Sequence, residues 1–241
     1  MDRIEDKFME IRRFCEQNAN ASLEKKYSRY FTEGYDAYGL DRETIEKQRD
    51  NWLESWKNEM TIDDYILLGN RLISTGKYEE ASFAIIFLMA NKDQLRENHF
   101  GKIGGWLDNG IVNWAHTDIL CGHVLAHFIV NKIVGIEILR EWTKASSKWK
   151  RRAVPVTLIE ALNTDIHFEV MSSIIEPLMP DPEKFVQKGL GWFLREAWKK
   201  YPEKTESYLL KWKDTCGRII IQYATEKMDK EYRTKFKRTK N

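Results

Sequence analysis

The sequence predicts an all-α protein, organised as a curved α-solenoid of helix-pair repeats. Apolar residues have helical spacing almost everywhere along the 241 residues, and the alternation typical of strands is scarce. One apolar helix also recurs: Ala81, Asp118, Ala153 and Gly189 follow each other at intervals of 37, 35 and 36 residues. A period of this length with only helices inside it indicates stacked helix pairs, because one pair cannot bury its apolar face alone.

The period divides the chain into three parts. Residues 1–60 are rich in aromatic side chains, as in "YSRYFTEGYDAYGL" and "NWLESW", and we expect them to form a helical cap. Residues 61–228 should hold the helix pairs, so that 1–228 make a single repeat domain. Residues 229–241 form a basic C-terminal tail, which we expect to be frayed.

The first helix pair has clear start and stop signals. "TIDDYILLGNRLIS" carries a broad apolar stripe, and Thr61 with Asp64 resembles a capping box. Gly76 ends that helix, and "YEEASFAIIFLMANK" starts the next one after a short turn.

Three later stretches repeat the pattern: "HTDILCGHVLAHFI", "KRRAVPVTLIEAL" and "VQKGLGWFLREAW". In each, a polar or basic edge precedes an apolar helix. The competing arrangement is a helical bundle without repeats, but a common anchor in four registers favours the repeat array.

Composition excludes several protein classes. Apolar residues make up 42% and charged residues 32% of the chain, which is ordinary for a folded aqueous protein. The charged start has no secretory signal, and the apolar run "FAIIFLMA" is too short for a bilayer, so no membrane partner is expected. Cys15, Cys121 and Cys216 are widely spaced and odd in number, which suggests neither a disulfide framework nor a zinc site. We expect a cytoplasmic protein.

Charge is distributed unevenly. Residues 1–141 carry 18 Lys and Arg against 24 Asp and Glu, whereas residues 142–241 carry 21 against 13. A basic second part suggests a polyanionic partner, although a solvated surface rich in Lys and Arg would show the same balance.

The repeat register brings charged residues to one surface. At the start of the second helix of each pair stand Asp118, Arg151, Arg152 and Lys188, with Trp192 four residues after Lys188. A cationic trough of this kind suits a duplex backbone, because Lys and Arg displace counterions from phosphates. No base-reading motif accompanies it, so binding should depend on backbone and shape.

Common enzyme motifs are absent from the sequence. His123 and His127 have helical i,i+4 spacing, but Val124 stands where a zinc peptidase needs Glu, and two packed histidines are the simpler interpretation. We therefore expect neither a metal nor a cofactor.

Three segments nevertheless resemble a known family: "NWAHTD", "WKRRAV" and "FVQKGLGWFLREAWKKYP". They are similar to the HEAT-like-repeat DNA glycosylases of the AlkD type, which excise alkylated purines. The resemblance runs from about Tyr27 to the end of the last repeat, and it implies that the helix pairs are HEAT-like.

The resemblance also implies roles for single residues. In that family an aromatic and an acidic residue with the W-x-x-x-D spacing form a catalytic cleft with the tryptophan of a Gly-Trp motif. The matching residues here are Trp114, Asp118 and Trp192. We expect Gly189 and Gly191 to leave bare helix surface beside Trp192, where a nucleotide backbone could come close. Arg152 and Arg195 fall on phosphate-binding positions.

Two further positions bear on the comparison. Tyr27 resembles the family's N-terminal aromatic residue, although the alignment there needs a gap. Ala115 replaces an acidic residue often seen after the tryptophan, which leaves the substrate range more open than the reaction.

The side chains of Trp114 and Asp118 suit the cleavage of a glycosidic bond. The departing base leaves positive charge on the sugar, which a carboxylate and an indole face can stabilise. An alkylated purine is itself cationic, so no strong general acid is needed. In the structural alternative, Trp114 is a packed aromatic residue and Asp118 a helix cap.

The function expected from the resemblance is that of a monomeric glycosylase acting on double-stranded DNA with alkylated bases. Two alternatives remain: a related protein that binds damaged or structured DNA without excision, and a protein-scaffolding solenoid. The basic second part of the chain favours either DNA-binding function over the scaffold.

Overall fold

The structure, a computed structural model, describes residues 3–239, and all regular secondary structure within that range is helical. This confirms the predicted all-α class. Contacts divide the chain into two compact units, Met1–Leu120 and Cys121–Asn241, called here unit 1 and unit 2. The predicted division into a cap over 1–60 and repeats over 61–228 stays a prediction.

Unit 1 contains seven α-helices within its described residues, joined by short 3-10 turns at Lys92–Gln94 and Gly105–Leu107. The helices are α1 (Arg3–Gln17), α2 (Ala21–Ser28), α3 (Arg42–Trp56), α4 (Ile62–Ser74), α5 (Tyr78–Ala90), α6 (Glu97–Gly104) and α7 (Trp114–Leu120).

Unit 2 begins with a π-helical turn, Cys121–Leu125, and continues in α-helices interrupted by 3-10 turns. The helices are α8 (Ala126–Val130), α9 (Leu139–Trp142), α10 (Lys148–Ala161), α11 (Phe168–Ile175), α12 (Lys184–Lys200), α13 (Pro202–Trp212) and α14 (Arg218–Ala224). The last 3-10 turn is Tyr232–Phe236.

The start and end of α4 are those that the sequence predicts. The Thr61 backbone N–H donates to Asp64 Oδ2 at 2.8 Å, and the Asp64 backbone N–H donates to Thr61 Oγ1 at 3.3 Å. After the helix, Gly76 adopts φ 76°, a left-handed conformation that glycine tolerates best. Helices α4 and α5 then pack together as a pair.

The four aligned positions all fall inside α-helices. Ala81 lies in α5, Asp118 in α7, Ala153 in α10 and Gly189 in α12. Three of these positions are buried, and Asp118 is half-buried. The aligned positions therefore fall in four helices of the chain, and their arrangement as stacked helix pairs stays a prediction.

A buried carboxylate anchors the N-terminal residues of unit 1 to α5. Glu79 accepts hydrogen bonds from the backbone N–H groups of Tyr38, Gly39 and Leu40, at 2.8, 2.7 and 3.1 Å. Its side chain is almost fully inaccessible, so these bonds replace the hydrogen bonds that water would otherwise make to the carboxyl group. The segment between α2 and α3 is thereby held against the first residues of α5.

Helix α12 is the centre of unit 2, packed between α10 and α14. A Cβ atom at Gly191 would lie 2.4 Å from the Cβ of Tyr223 and 2.9 Å from the carbonyl oxygen of Ile220. Only glycine permits this approach of α12 to α14.

The C-terminal segment corrects one expectation. We expect a frayed tail over 229–241, but the 3-10 turn Tyr232–Phe236 packs against α13, and residues 240–241 lie outside the described range. Phe236 is 2% exposed, and Arg238 donates to the carbonyl oxygen of Cys216 at 2.9 Å. The Tyr232 hydroxyl donates to Glu206. An apolar anchor inside the basic run orders the segment.

None of the helices within residues 3–239 combines the length and the apolar character that crossing a membrane requires.

Candidate nucleic-acid interface

Helix α7 presents two of the predicted site residues. Trp114 is its first residue and 37% exposed, and Asp118 follows one helical turn later and is half-buried. Residues four apart lie on the same side of a helix. The intervening Ala115 and His116 are buried, at 9% and 2% exposure. An indole and a carboxylate therefore share the accessible side of α7.

Asn113, and not Asp118, caps the N-terminus of α7. The Asn113 side-chain oxygen accepts from the His116 backbone N–H at 2.9 Å, which is the hydrogen bond of an N-cap. Asp118 stands in the second turn of α7, away from the orphan N–H groups. The structural alternative for Asp118, a helix cap, is thus excluded.

The indole of Trp114 belongs to an aromatic cluster made of Phe31, Tyr35, Tyr78 and Trp114. Trp114 stacks on Phe31, with ring centroids 5.9 Å apart, and Phe31 stacks on Tyr35 at 4.7 Å. Tyr78 meets the rings of both Phe31 and Tyr35, at 5.3 and 5.0 Å. These contacts leave the indole one supported face and one accessible side.

A hydrogen bond also fixes the edge of the indole. Trp114 Nε1–H donates to the Tyr30 carbonyl oxygen at 3.3 Å. Tyr30 and Phe31 follow the end of α2 closely. In the turn there, the Phe31 backbone N–H donates to the Ser28 carbonyl oxygen at 2.9 Å. The segment that follows α2 therefore positions Trp114.

His116 supports the cluster from the interior. Its ring stacks on Tyr78 at 4.3 Å, and its two ring nitrogens hydrogen-bond to Ser82 and Asn113, each at 2.9 Å. Burial lowers the pKa of His116 to about 3, because the charged ring would lose its hydration. At neutral pH the ring is uncharged, so it serves as packing and not as a proton donor.

Tyr27 lies in the last turn of α2, just before that segment. It is half-buried, and the ammonium of Lys26 lies 5.7 Å from the centre of its ring. The predicted DNA-binding role of Tyr27 stays a prediction.

In unit 2, the guanidinium of Arg151 is held by the protein itself. It donates from Nε to Asp181 at 2.6 Å and from Nη1 to the carbonyl oxygens of Ala145 and Ser146 at 2.9 and 2.8 Å. This arrangement joins the start of α10 to the segment before α12, which favours a structural role. Its predicted contact with DNA stays a prediction.

Arg152 is buried between α10 and α12, at 5% exposure, although the sequence pattern predicts an accessible cation. Its Nη1 donates to the Phe185 carbonyl oxygen at 2.5 Å. A Cβ atom at Gly189 would lie 3.3 Å from the Arg152 Cγ, so the stem of the arginine fills the space beside that glycine.

Lys188 and Trp192 lie one turn apart on α12 and are both half-buried. The Lys188 ammonium lies 5.5 Å from the ring centre of Phe185 and 5.9 Å from that of Tyr223. Two rings thus confine the ammonium without neutralising it.

The glycines of the Gly-Trp motif correct a second expectation. We expect Gly189 and Gly191 to leave bare helix surface for a nucleotide backbone. Protein atoms occupy both places instead: Arg152 and Val156 lie beside Gly189, and helix α14 lies against Gly191. The motif is explained by close helix packing, so it carries no argument for nucleotide approach.

Arg195, further along α12, is paired with carboxylates. Nε donates to Glu196 at 3.0 Å, and Nη1 donates to Glu226. A phosphate at this arginine would have to compete with both pairs. Its predicted phosphate contact stays a prediction.

Sequence reasoning missed the support of Trp114. The aromatic stretch "YSRYFTEGYDAYGL" was a visible signal, but it indicates only a cap, whereas Phe31 and Tyr35 in that stretch hold the indole. Within residues 3–239, no three His, Cys, Asp or Glu side chains are grouped so as to hold a metal ion.

Comparison with known proteins places this chain in a family. A sequence model described as DNA alkylation repair enzyme matches residues 11–228. The crystal structure of AlkD2 from Streptococcus mutans is similar, with a TM-score of 0.57 and 21% identity, covering 87% of this chain and 97% of that chain. At that identity the match shows a shared fold alone. No curated protein sequence matches the chain.

The family model spans most of the residues, including α7, α10 and α12 and every residue that the sequence singles out for DNA binding or catalysis. This chain therefore belongs to the family of DNA alkylation repair enzymes.

Proposed function

We propose that this protein is a DNA glycosylase that excises purines alkylated at N3 or N7 from duplex DNA, by hydrolysing the N-glycosidic bond. Membership of a DNA alkylation repair family supports the substrate class. The observation that carries the proposal is the pairing of an accessible indole with a carboxylate on one side of α7, at Trp114 and Asp118.

The reaction needs little acid catalysis from the protein. As the C1′–N bond breaks, its electron pair leaves with the alkylated base, which changes from cationic to neutral without receiving a proton. The sugar becomes an oxocarbenium-like cation, and water then adds to C1′ and loses a proton to solvent. What the protein must supply is stabilisation of the developing positive charge.

Asp118 would supply that stabilisation. A fixed carboxylate lowers the energy of a nearby cation most when it needs no reorganisation during the reaction. The same group can orient the attacking water. Trp114 would place the negative face of its indole toward the sugar or the cationic base.

The aromatic cluster makes Trp114 suited to this task. The stack on Phe31 and the hydrogen bond to the Tyr30 carbonyl restrain the indole from both its face and its edge. Restraint before binding reduces the entropy lost when substrate is held, which is the benefit of preorganisation.

The resemblance to AlkD-type glycosylases supports roles for residues of unit 2. We propose that Trp192 contributes a second indole to substrate binding, and that Lys188, Arg152 and Arg195 act on phosphates. Lys188 is the best suited of the three cations, because its ammonium has ring neighbours and no carboxylate neighbour among the described residues.

A second candidate function is binding of damaged or structured DNA without excision. Ala115 favours it, because AlkD-type glycosylases often have an acidic residue at this place. In this chain the position is 9% exposed and contributes no charge next to Trp114.

Release of free base distinguishes the two functions. Duplex DNA treated with a methylating agent is incubated with excess protein, and 7-methylguanine and 3-methyladenine in the soluble fraction are quantified. The glycosylase proposal predicts release above the spontaneous rate, and none from the unmethylated duplex. Binding to both duplexes without release would support the second function instead.

A further inference from the structure

Unit 2 contains a basic groove that none of the roles above uses. It has a volume of about 750 Å³ and lies between the end of α13, the helix α14 and the C-terminal segment. Its lining residues are Lys213, Arg218, Ile221, Gln222, Thr225, Lys230, Arg233, Thr234, Phe236, Lys237 and Arg238. Six of them are cationic and none is acidic, so the groove concentrates positive charge.

Several of these cations have no neutralising partner. Within residues 3–239, the side chains of Arg218, Lys230 and Arg233 make no ion pair and no side-chain hydrogen bond. Arg238 donates to a carbonyl oxygen, that of Cys216, which leaves its charge in place. Like charges held together repel one another, and a bound anion would relieve that repulsion.

The groove lies on the side of α14 that faces away from α12. Arg218, Ile221, Gln222 and Thr225 follow the i, i+3, i+4, i+7 spacing of one side of a helix, and they line the groove. Tyr223, on the other side of α14, packs toward Gly191 and Lys188 of α12. The groove is therefore separate from the cations of α10 and α12.

Contacts of the C-terminal segment with the rest of unit 2 hold one wall of the groove. Phe236 is buried at 2% exposure, and Glu206 binds both the Tyr232 hydroxyl and, at 3.0 Å, the Lys235 ammonium. The backbone N–H of Thr239 donates to Asp214 at 2.7 Å. Tyr232, Lys235 and Thr239 do not line the groove, so their contacts hold the C-terminal segment in place without using the groove's own cations.

We propose that this groove binds the phosphodiester backbone of duplex DNA, as a second DNA contact of unit 2 apart from α10 and α12. The protein's membership of a DNA alkylation repair family identifies the polyanion. Lys and Arg gain free energy there by releasing counterions from phosphates. The proposal goes beyond the glycosylase proposal, since it concerns affinity for any duplex and needs no excision.

The test compares two variants that each lose three positive charges from unit 2. The groove variant combines Arg218→Gln, Lys230→Gln and Arg233→Gln. The control variant combines Lys144→Gln, Lys204→Gln and Lys211→Gln, which are exposed lysines outside the groove. Binding of an unmethylated duplex is measured by fluorescence anisotropy over a salt series, and circular dichroism melting confirms that both variants fold.

The groove variant should bind more weakly than the control, and the slope of log Kd against log salt should fall by roughly 2 to 3, about 0.9 for each phosphate that the variant no longer neutralises. If the triple variant does not fold, Arg218→Gln alone should lower the slope by roughly 1. Slopes and affinities equal to those of the control would overturn the proposal.

Free tripolyphosphate provides the second arm of the test, followed by calorimetry. The proposal predicts that it competes with duplex DNA for the groove. Tripolyphosphate binding that the groove variant loses, with unchanged DNA binding, would identify the ligand as a small free anion and overturn the DNA assignment. Because the duplex is unmethylated, a failure of the glycosylase proposal would not change either result.

Discussion

The indole of Trp114 stacks on the ring of Phe31, with the ring centroids 5.9 Å apart and the planes 18° from parallel. The two residues are far apart in the sequence, and the segment after α2 brings Phe31 beneath the first residue of α7. A residue of the aromatic-rich N-terminal part thus supports the residue that we propose to contact substrate.

Phe31→Ala should lower excision more than it lowers duplex binding. Without the ring the indole loses its stacking partner, and a displaced catalytic group can cost about 10-fold or more in rate. The single-turnover rate at saturating protein is the measurement. Tyr35→Phe is the matched control, because it keeps the second ring of the stack. Equal rates for Phe31→Ala and wild type would show that the stack does not position Trp114.

The buried ring of His116 should make the protein lose stability in mild acid. Its folded pKa is about 3, whereas an unfolded histidine has a pKa near 6.5, so below about pH 6.5 the unfolded chain binds a proton that the folded chain does not. This group contributes no pH dependence above that range, and stability falls as the pH drops from about 6.5 toward 3.

Urea unfolding at pH 7 and pH 5 measures this effect. His116 should account for roughly 2 kcal/mol of the loss, and His116→Gln should remove that part while the carboxylates titrate as before. If the wild type and His116→Gln lose the same free energy of unfolding, the ring is protonated in the folded protein.

Substitution of Arg152 should lower the stability of the protein more than substitution of Lys188. Arg152→Gln removes a donor from the Phe185 carbonyl oxygen inside the protein and should cost about 1–3 kcal/mol of stability. Lys188→Gln should cost much less, because among residues 3–239 its ammonium has two aromatic rings and no carboxylate beside it. If both bind phosphates, each variant should also flatten the salt slope of duplex binding by roughly 1. An unchanged slope for either residue removes it from the DNA interface.

Gly191→Ala should destabilise the protein, whereas Gly189→Ala should be tolerated. An added methyl group at residue 191 would lie 2.4 Å from the Cβ of Tyr223, while at residue 189 its nearest neighbour is 3.3 Å away on a flexible arginine stem. Overpacking of the first kind costs typically 1–3 kcal/mol. Thermal melting of both variants checks this, and equal melting temperatures would show that α12 and α14 are not in close contact.

Local patterns predict the helices and the side of α7 on which Trp114 and Asp118 lie, because both depend on residues near in sequence. The capping box of Thr61 and Asp64 is of the same kind. Local patterns do not predict the burial of Arg152 or the filling of the space beside Gly191. Both features depend on contacts between helices that are distant in the sequence. Periodicity indicates which side of a helix is buried, but not which helix packs against that side.

The ordered C-terminal segment has the same explanation. A run of Lys and Arg predicts a solvated tail, yet one apolar residue, Phe236, finds a buried place in unit 2. The basic groove depends on that tertiary contact. The distribution of Lys and Arg along the sequence therefore predicts a polyanionic partner, but it does not predict the groove.

Asp118→Asn is the most direct test of the glycosylase proposal, because it keeps the shape of the side chain and removes the charge. The measurement is single-turnover release of 7-methylguanine from methylated duplex DNA by wild type and variant, with duplex binding measured in parallel. We predict that release slows by about 100-fold or more, roughly 3 kcal/mol in the barrier, with binding unchanged or slightly tighter. Equal release rates would contradict the role of Asp118 in the chemistry.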